Sequence, residues 1–415
     1  MRNYRKSVLL LAVVLFFSAL VSCKTNNGGG SLPDIADSDM IYIPEYVNLP
    51  DEVTDMRSPL LLADIIYFFQ PGITALQLYQ VNTDGSGLKN LDGYEPKTDT
   101  QYISAVTPIS DGTALIAENG ETGCFLRKIS LSDGAVLSEI DLTYLGSDVS
   151  VTSAAVDLNG NIAIAIADRN QELTIYAFSS GGEALFDETI KRGSMRLIRL
   201  LSLQDGSVTA AVIDLQANAL RLLPVDMSNL QLGDSVGSFQ INADNIVVTG
   251  IGLLIQTSDG IVGFEAGESQ PTQFIDWLDS DMSSDGLTLL GASGGDIILF
   301  QSGSISEEKS ANSIVTLREG SASDDRITLE LGCLYLNYRL KNLIVQFNQT
   351  DPDYRIKVTE YAPGYPEVNL DLDTALMKMN TDLIAGNIPD ILCLNEEMPF
   401  SAYAARGLFE DLTPY

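Results

Sequence analysis

The stretch QDGSVTAAV, residues 204–212, places an Asp-Gly turn directly before a run of small and β-branched residues. Asp-Gly and Asn-Gly pairs are typical of hairpin turns, and the run that follows is typical of a buried strand. The pattern recurs at intervals of about 40–50 residues, a spacing typical of propeller blades. Its other copies lie at residues 110–116, 159–165 and 284–290. This repeat predicts an all-β architecture built from similar sheets.

A second repeated element, a strand followed by a turn and another strand, lies between these copies at residues 78–85, 126–134 and 175–182. In pattern it resembles the outer hairpins of WD40-like and TolB-like propellers, although the sequence contains no Trp-Asp dipeptide. A four-stranded sheet cannot bury both faces alone, so such sheets stack around an axis. We therefore predict a β-propeller of about six blades, with five to seven possible, over residues 40–318. A pair of β-sandwiches or a β-solenoid is the alternative.

The pattern changes after a polar linker at residues 319–326, where helical spacing of apolar residues appears for the first time. Strands and helices are expected to alternate in the order β-α-β-α-β, which opens a doubly wound parallel sheet. The expected strands cover residues 327–332, 354–361 and 391–394, and the expected helices cover residues 335–348, 371–385 and 399–405.

Four short stretches of this segment, residues 347–348, 351–354, 384–391 and 403–412, resemble family 1 extracellular solute-binding proteins. The resemblance implies the partial first lobe of an α/β periplasmic-binding-protein-like domain at residues 327–415, which binds a sugar or oligosaccharide for an ABC permease in the membrane. Open α/β sheets bind ligands beyond the carboxyl ends of their strands. The ligand-binding residues expected at those ends are Tyr335, Asn395, Glu396 and Glu397.

The second lobe of such a domain does not follow in the sequence. We therefore expect either a fragment of a longer protein or a broken gene, and we expect this chain not to bind solute with normal affinity. In a sheet of strand order 2-1-3, Cys333 and Cys393 are neighbours. An oxidising exterior would permit a disulfide between them, and two buried thiols are the alternative.

The N-terminus has a positive start, an apolar run at residues 8–20 and the residues Leu20-Val21-Ser22-Cys23. A short apolar core after a positive start is typical of a secretory signal, and the last four residues resemble the lipobox of bacterial lipoproteins. We expect a signal peptide at residues 1–22, lipidation of Cys23, a flexible tether at residues 23–39, and an extracytoplasmic protein anchored to the cell membrane through lipid. A plain signal peptide or a short membrane anchor is the alternative.

The composition excludes several classes of function. The chain contains no histidine, so no mechanism with a His base or His metal ligand is open to it. A formal net charge of −32 disfavours nucleic acid as a partner. The cysteines form no CxxC pair, so no metal site is expected, and no cofactor is expected either. The GxSxG pattern at residues 291–295 needs a histidine partner to form a catalytic triad. We predict that the protein is not an enzyme.

The leading hypothesis is the lipid-anchored, solute-binding component of an ABC importer for carbohydrate. The alternative is a cell-surface β-propeller lipoprotein that binds a partner or a glycan and has no transport role. An exported enzyme that uses paired carboxylates is a third class, but no carboxylate pair stands out from the acidic background.

Overall fold

The computed structural model describes residues 40–411 and 413, except for residues 74, 98, 110–111, 147–148, 168–172, 191–194, 242, 265–270, 307–308, 311, 322–325 and 364–370. The predicted signal peptide, the predicted lipidation site Cys23 and the predicted tether therefore lie outside the described residues. The described chain forms two compact units. The first holds residues 42–274 and 285–319, and the second holds residues 40–41, residues 275–284 and the chain from residue 320 onward.

The first unit is built from six antiparallel sheets, and the first strand of the described residues is β1 (Met40–Asn48). Blade 1 contains β2 (Arg57–Leu62), β3 (Ile65–Pro71), β4 (Leu76–Asn82) and β5 (Lys89–Asn90). Blade 2 contains β6 (Thr100–Ile109), β7 (Thr113–Gly120), β8 (Gly123–Ser130) and β9 (Val136–Asp141), with a 3-10 turn at Thr143–Leu145. Blade 3 contains β10 (Ser150–Val156), β11 (Ile162–Ala167), β12 (Leu173–Phe178) and β13 (Ala184–Ile190).

The remaining blades follow the same plan, in which strands adjacent in sequence are hydrogen-bonded neighbours. Blade 4 contains β14 (Met195–Ser202), β15 (Val208–Asp214), β16 (Ala219–Asp226), β17 (Gln231–Leu232) and β18 (Ser238–Phe239). Blade 5 contains β19 (Asn245–Thr249), β20 (Gly252–Gln256), β21 (Gly260–Phe264) and β22 (Thr272–Asp276). Blade 6 contains β23 (Leu287–Ser293), β24 (Asp296–Gln301) and β27 (Ser313–Ser321), and β25 (Ser304–Ser306) forms a separate hairpin with β26 (Lys309–Ser310).

Blade 6 is completed by the N-terminal strand β1, which pairs with β27. Asn312 strengthens this closure, because its backbone oxygen accepts a hydrogen bond from Leu49 N at 3.0 Å and its side chain donates to the Val53 oxygen at 3.0 Å. The first strand of each blade contacts the first strand of the next, including β23 with β2. The predicted propeller is confirmed, and it has six blades in a closed ring.

Apolar residues between the blades hold the ring together. One buried cluster, for example, joins Ile66, Phe68 and Val81 of blade 1 to Ile298 and Ile314 of blade 6. Equivalent clusters lie between blades 1 and 2, 2 and 3, 3 and 4, and 4 and 5. Blades 1 to 4 thus bury both faces against their neighbours, which explains why their central strands are almost continuously apolar.

The innermost strands also carry a ring of equivalent residues, here called the inter-blade ring. Its members recur at a constant spacing of 46 residues and are Leu61, Thr107, Ser153, Arg199, Asn245 and Gly291. Thr107 Oγ1 donates to the Ala154 oxygen at 2.6 Å, Ser153 Oγ accepts from Leu200 N at 2.9 Å, and Asn245 Nδ2 donates to the Leu289 oxygen at 2.9 Å. Each of these three side chains therefore bonds its blade to the backbone of the next.

A buried ionic network fixes the connection between blades 1 and 2. The Glu118 carboxylate is fully buried and accepts hydrogen bonds from Tyr94 OH at 2.9 Å and Arg127 Nη1 at 2.5 Å. Its other oxygen accepts from Lys97 N at 3.1 Å and Thr100 Oγ1 at 2.8 Å. Burial and the neighbouring carboxylate raise the pKa of Tyr94 well above its usual range. These four donors satisfy both oxygens of the buried carboxylate and tie the connection between blades 1 and 2 to strand β7.

The second unit contains a three-stranded parallel sheet in the order β29-β28-β30. Its strands are β28 (Ile327–Cys333), β29 (Tyr354–Glu360) and β30 (Ile391–Leu392), and its helices are α1 (Tyr338–Thr350), α2 (Leu372–Ala385) and α3 (Phe400–Ala405). Helix α1 begins three residues later than the spacing predicts, because the Asn337 side chain accepts from Leu340 N and caps the helix. Gly386, at φ +94°, ends α2 in the left-handed conformation that favours glycine.

Residues 275–284 belong to this second unit although they lie between two propeller strands in the sequence. Asp281 anchors them: its carboxylate accepts from Asn348 Nδ2 at 2.8 Å and from Arg355 Nε at 3.1 Å. Gln349 Nε2 donates to the backbone oxygen of Asp281 at 2.9 Å. No local sequence pattern distinguishes this segment from an ordinary connection between blades, so its place in the second unit was not predicted.

The predicted periplasmic-binding-like lobe is not supported by this second unit. Among the described residues its sheet has three strands, and β30 pairs with β28 through only two residue pairs. The alternation of strands and helices is present, but it is shared by many α/β arrangements and does not define that lobe.

The Glu118 network yields a test of the propeller's stability. We expect Glu118→Gln to lower the free energy of unfolding by about 3 kcal/mol. It removes the buried countercharge of Arg127, and the new amide NH2 group would face donors that now bond to a carboxylate oxygen. Urea denaturation measures this change. Glu121→Gln, at an exposed turn of the same blade, is the control and should change stability by less than about 0.5 kcal/mol. Equal stability of the two variants would contradict the role given to Glu118.

Candidate functional site

The sequence-predicted ligand residues lie at the carboxyl edge of the second unit's sheet. Asn395 uses both ends of its amide there: Oδ1 accepts from Leu334 N at 2.9 Å and Nδ2 donates to the Tyr335 oxygen at 2.9 Å. Its side chain thus links the loop after β30 to the loop after β28. This arrangement gives Asn395 a structural role that the sequence analysis did not predict.

The other predicted residues are arranged less closely. Tyr335 OH donates to the Glu397 carboxylate at 3.3 Å, which is a long hydrogen bond. Glu396 is exposed. The structure therefore brings Tyr335, Asn395 and Glu397 together and leaves Glu396 toward solvent. Ligand binding by these four residues remains a prediction.

The backbone donor just before helix α1 is also bonded within the protein. Glu360 Oε1 accepts from Leu336 N at 2.6 Å, and Glu360 Oε2 pairs with Lys341 Nζ at 3.0 Å. A backbone donor at the start of a helix could otherwise bind an anion. Here the chain's own carboxylate binds that donor, so this edge is stabilised largely by internal contacts.

Cys333 and Cys393 are neighbours, as the strand order predicts, since Cys393 N donates to the Gly332 oxygen at 2.9 Å. Both are free thiols, with Cys333 fully buried and Cys393 partly exposed. Burial is the main cause that raises the pKa of the Cys333 thiol, and the nearby charge of Glu360 raises it further. The structure therefore shows the reduced alternative.

The propeller carries an open cavity of about 490 Å³ between the innermost strands of three blades. We call it the blade 4–6 cavity, and its lining residues are Ser202, Leu203, Gln204, Val248, Thr249, Gly250 and Ala292. The lining comes from the end of β14 and the turn after it, from the end of β19 with Gly250, and from β23. The cavity therefore lies where first strands end in their hairpin turns, close to the axis around which the blades are arranged.

Neutral hydrogen-bonding groups define the chemistry of the blade 4–6 cavity. Ser202 Oγ accepts from Val156 N at 2.9 Å and keeps its hydrogen for another acceptor. Gln204 Nε2 donates to the Thr249 oxygen at 2.5 Å, which orients the amide and leaves Gln204 Oε1 as an acceptor. Leu203, Val248 and Ala292 add apolar surface. The lining contains no titratable side chain, so it suits an uncharged, hydroxyl-rich ligand surface.

The serine of the GxSxG pattern, Ser293, ends β23 beside the cavity residue Ala292. Its Oγ donates to the Asp64 carboxylate of blade 1, so it joins blade 6 to blade 1. In the part of the chain that the structure describes, no group of three or more Cys, Asp or Glu side chains is arranged to hold a metal ion. No helix within the described ranges is long and apolar enough to cross a membrane.

Comparisons with known proteins give likenesses of fold only. Regucalcin from Agrobacterium tumefaciens matches with a TM-score of 0.41 and 15% identity, over 64% of this chain and 90% of that one. A protein of unknown function from Dyadobacter fermentans matches with a TM-score of 0.48 and 10% identity, over 68% and 99%. An oligogalacturonate lyase in complex with manganese matches with a TM-score of 0.38 and 10% identity, over 64% and 79%. These values carry no functional argument.

The comparisons overturn the assignment to family 1 solute-binding proteins. No family model matches the chain, and no curated protein matches it. The prediction of an ABC-importer component was therefore wrong. The closed ring of six sheets instead places the chain in the class of six-bladed β-propeller proteins.

The role of Asn395 can be tested directly. We expect Asn395→Ala to weaken the link between the two loops by about 1–3 kcal/mol, because Leu334 N and the Tyr335 oxygen lose their partners. Hydrogen exchange at Leu334 should then accelerate by about tenfold or more. Glu396→Ala is the matched control at the neighbouring exposed position and should leave this exchange unchanged. Slow exchange in both variants would show that Asn395 does not support the edge.

Proposed function

We propose that this protein is a carbohydrate-binding β-propeller and that the blade 4–6 cavity is its binding site. The observation that carries the proposal is the lining itself. It offers a serine hydroxyl, an oriented glutamine amide and an exposed glycine backbone next to apolar side chains. Pyranose rings present hydroxyl groups at their rim and C–H groups on their faces, so both parts of such a ligand find suitable partners.

Binding without turnover fits this lining better than catalysis. Acid–base chemistry on a sugar needs a positioned carboxylate pair or another titratable group at the ligand. The residues around the cavity supply hydroxyl, amide and aliphatic groups. Ser293 is adjacent in sequence, but its hydroxyl bonds to Asp64 and the chain has no histidine to act as its base.

The place of action that we propose is outside the cytoplasm. The support is the N-terminal sequence, in which a positive start and an apolar run precede Leu20-Val21-Ser22-Cys23. A lipid attached at Cys23 would hold the propeller at a membrane surface through the Gly-rich stretch at residues 28–30. The cavity would then act on saccharides in the extracytoplasmic space.

Binding can be tested with an array of neutral and acidic oligosaccharides, followed by titration calorimetry on those that bind. We expect Gln204→Leu to weaken binding at least tenfold, about 1.4 kcal/mol, because it removes the oriented amide. Gln216→Leu is the matched control, since Gln216 is exposed in another turn of the same blade. Unchanged affinity in Gln204→Leu, or an array without any bound saccharide, would contradict the proposal.

A further inference from the structure

Arg199 differs from the other three polar members of the inter-blade ring. Thr107, Ser153 and Asn245 make hydrogen bonds of 2.6–2.9 Å to the next blade. The contact of Arg199 at the equivalent place, from Nη1 to the Ile246 oxygen, is 3.5 Å long. A contact of that length is weak, so linking the blades does not account for an arginine at this position.

Arg199 also lacks a countercharge in the described part of the chain. None of the ion pairs among the described residues includes it. This is notable in a sequence with 56 acidic and 24 basic side chains, where a carboxylate is available to most cations. Burial lowers the pKa of the Arg199 guanidinium, and no neighbouring carboxylate opposes that effect. An arginine nevertheless stays protonated in a protein, so most of its five N–H donors remain available.

The position of Arg199 relates it to the proposed binding site. It lies on β14, three residues before Ser202, and its contact Ile246 lies on β19, two residues before Val248. Residues of the same two strands therefore line the blade 4–6 cavity. Three strand residues span about 10 Å, a distance that neighbouring units of an oligosaccharide can cover. Arg199 is also partly accessible to solvent, so a ligand can reach it.

We propose that Arg199 binds the carboxylate of an acidic saccharide whose neighbouring unit occupies the blade 4–6 cavity. This inference rests on the proposed function and names its ligand class, the hexuronate-containing oligosaccharides. A guanidinium matches a carboxylate with two parallel N–H···O bonds, and such bonds are strong where water is partly excluded. The carboxylate of the ligand would pair with the Arg199 guanidinium, which has no ion-pair partner among the described residues.

The test compares an acidic disaccharide, one hexuronate joined to one neutral hexose, with the methyl ester of the same disaccharide, which carries no charge, by titration calorimetry on the lipid-free full chain at physiological salt. The wild-type protein should bind the acid at least tenfold more tightly than the ester. Arg199→Gln should remove this preference and keep the affinity for the ester. Arg199→Lys should retain part of the preference, because it keeps the charge without the planar pair of donors. Arg196→Gln removes the same charge from an exposed position of the same strand and should behave as wild type.

The outcomes separate this inference from the proposed function. Equal affinities for acid and ester in the wild type would overturn the role of Arg199 and leave saccharide binding in place. Failure of both ligands and of the neutral array would overturn both. Melting temperatures give a second measurement: Arg199→Gln and Arg199→Met should melt at or above the wild-type temperature, because no strong partner is lost. A large drop in both variants together with an unchanged acid preference would assign Arg199 a structural role and overturn the inference.

Discussion

The structure depends on mutual burial of the blade faces around a closed ring. Buried apolar clusters lie at five of the six interfaces between blades, and the first strands of blades 5 and 6 are also in contact. This arrangement succeeds only if the last blade also covers the first. The N-terminal strand β1 completes blade 6, and the cluster that contains Phe68 and Ile314 seals that blade against blade 1. Closure of the ring thus lets each sheet pack against a neighbour on both sides, which a single sheet could not do alone.

The same closure places six equivalent strands around one axis, and this determines where a ligand can bind. Three of the six positions of the inter-blade ring carry side chains that hydrogen-bond to the next blade. β-bulges interrupt five of the six innermost strands, which is common where strands border a functional site. The departure from regularity at Arg199, beside a cavity lined with neutral polar groups, is therefore informative. Function in a repetitive fold is expected where one repeat differs from the others without a structural reason.

Much of the propeller was predictable from the sequence, because an Asp-Gly or Asn-Gly turn precedes a buried strand in blades 2, 3, 4 and 6. The closing strand β1 was not, since pairing across the whole length of the chain leaves no local pattern. The cavity was missed for a similar reason: Gln204 had been noted only as part of a turn. Aligning the blades at the 46-residue spacing would have shown Arg199 as the charged residue among Leu, Thr, Ser, Asn and Gly.

The resemblance to solute-binding proteins failed for a physical reason. The residues that carried it perform tasks common to many α/β segments. Asp351 accepts from Tyr354 N at 2.8 Å in the turn after α1, Gly386 ends α2, and Asp390 accepts from Glu330 N at 2.9 Å between strands. Such turn and cap chemistry recurs wherever helices and parallel strands alternate. It predicts secondary structure well and family membership poorly.

The most direct test of the account is hydrogen exchange measured with and without a bound saccharide, because it maps the binding site without any substitution. The account predicts slower exchange on binding in peptides that cover residues 199–206 and 245–252, at the ends of β14 and β19. Exchange in residues 333–336 and 393–398, at the edge of the second unit's sheet, should stay the same. Protection confined to that second edge, with none near β14 and β19, would contradict the central claim that the propeller binds the ligand.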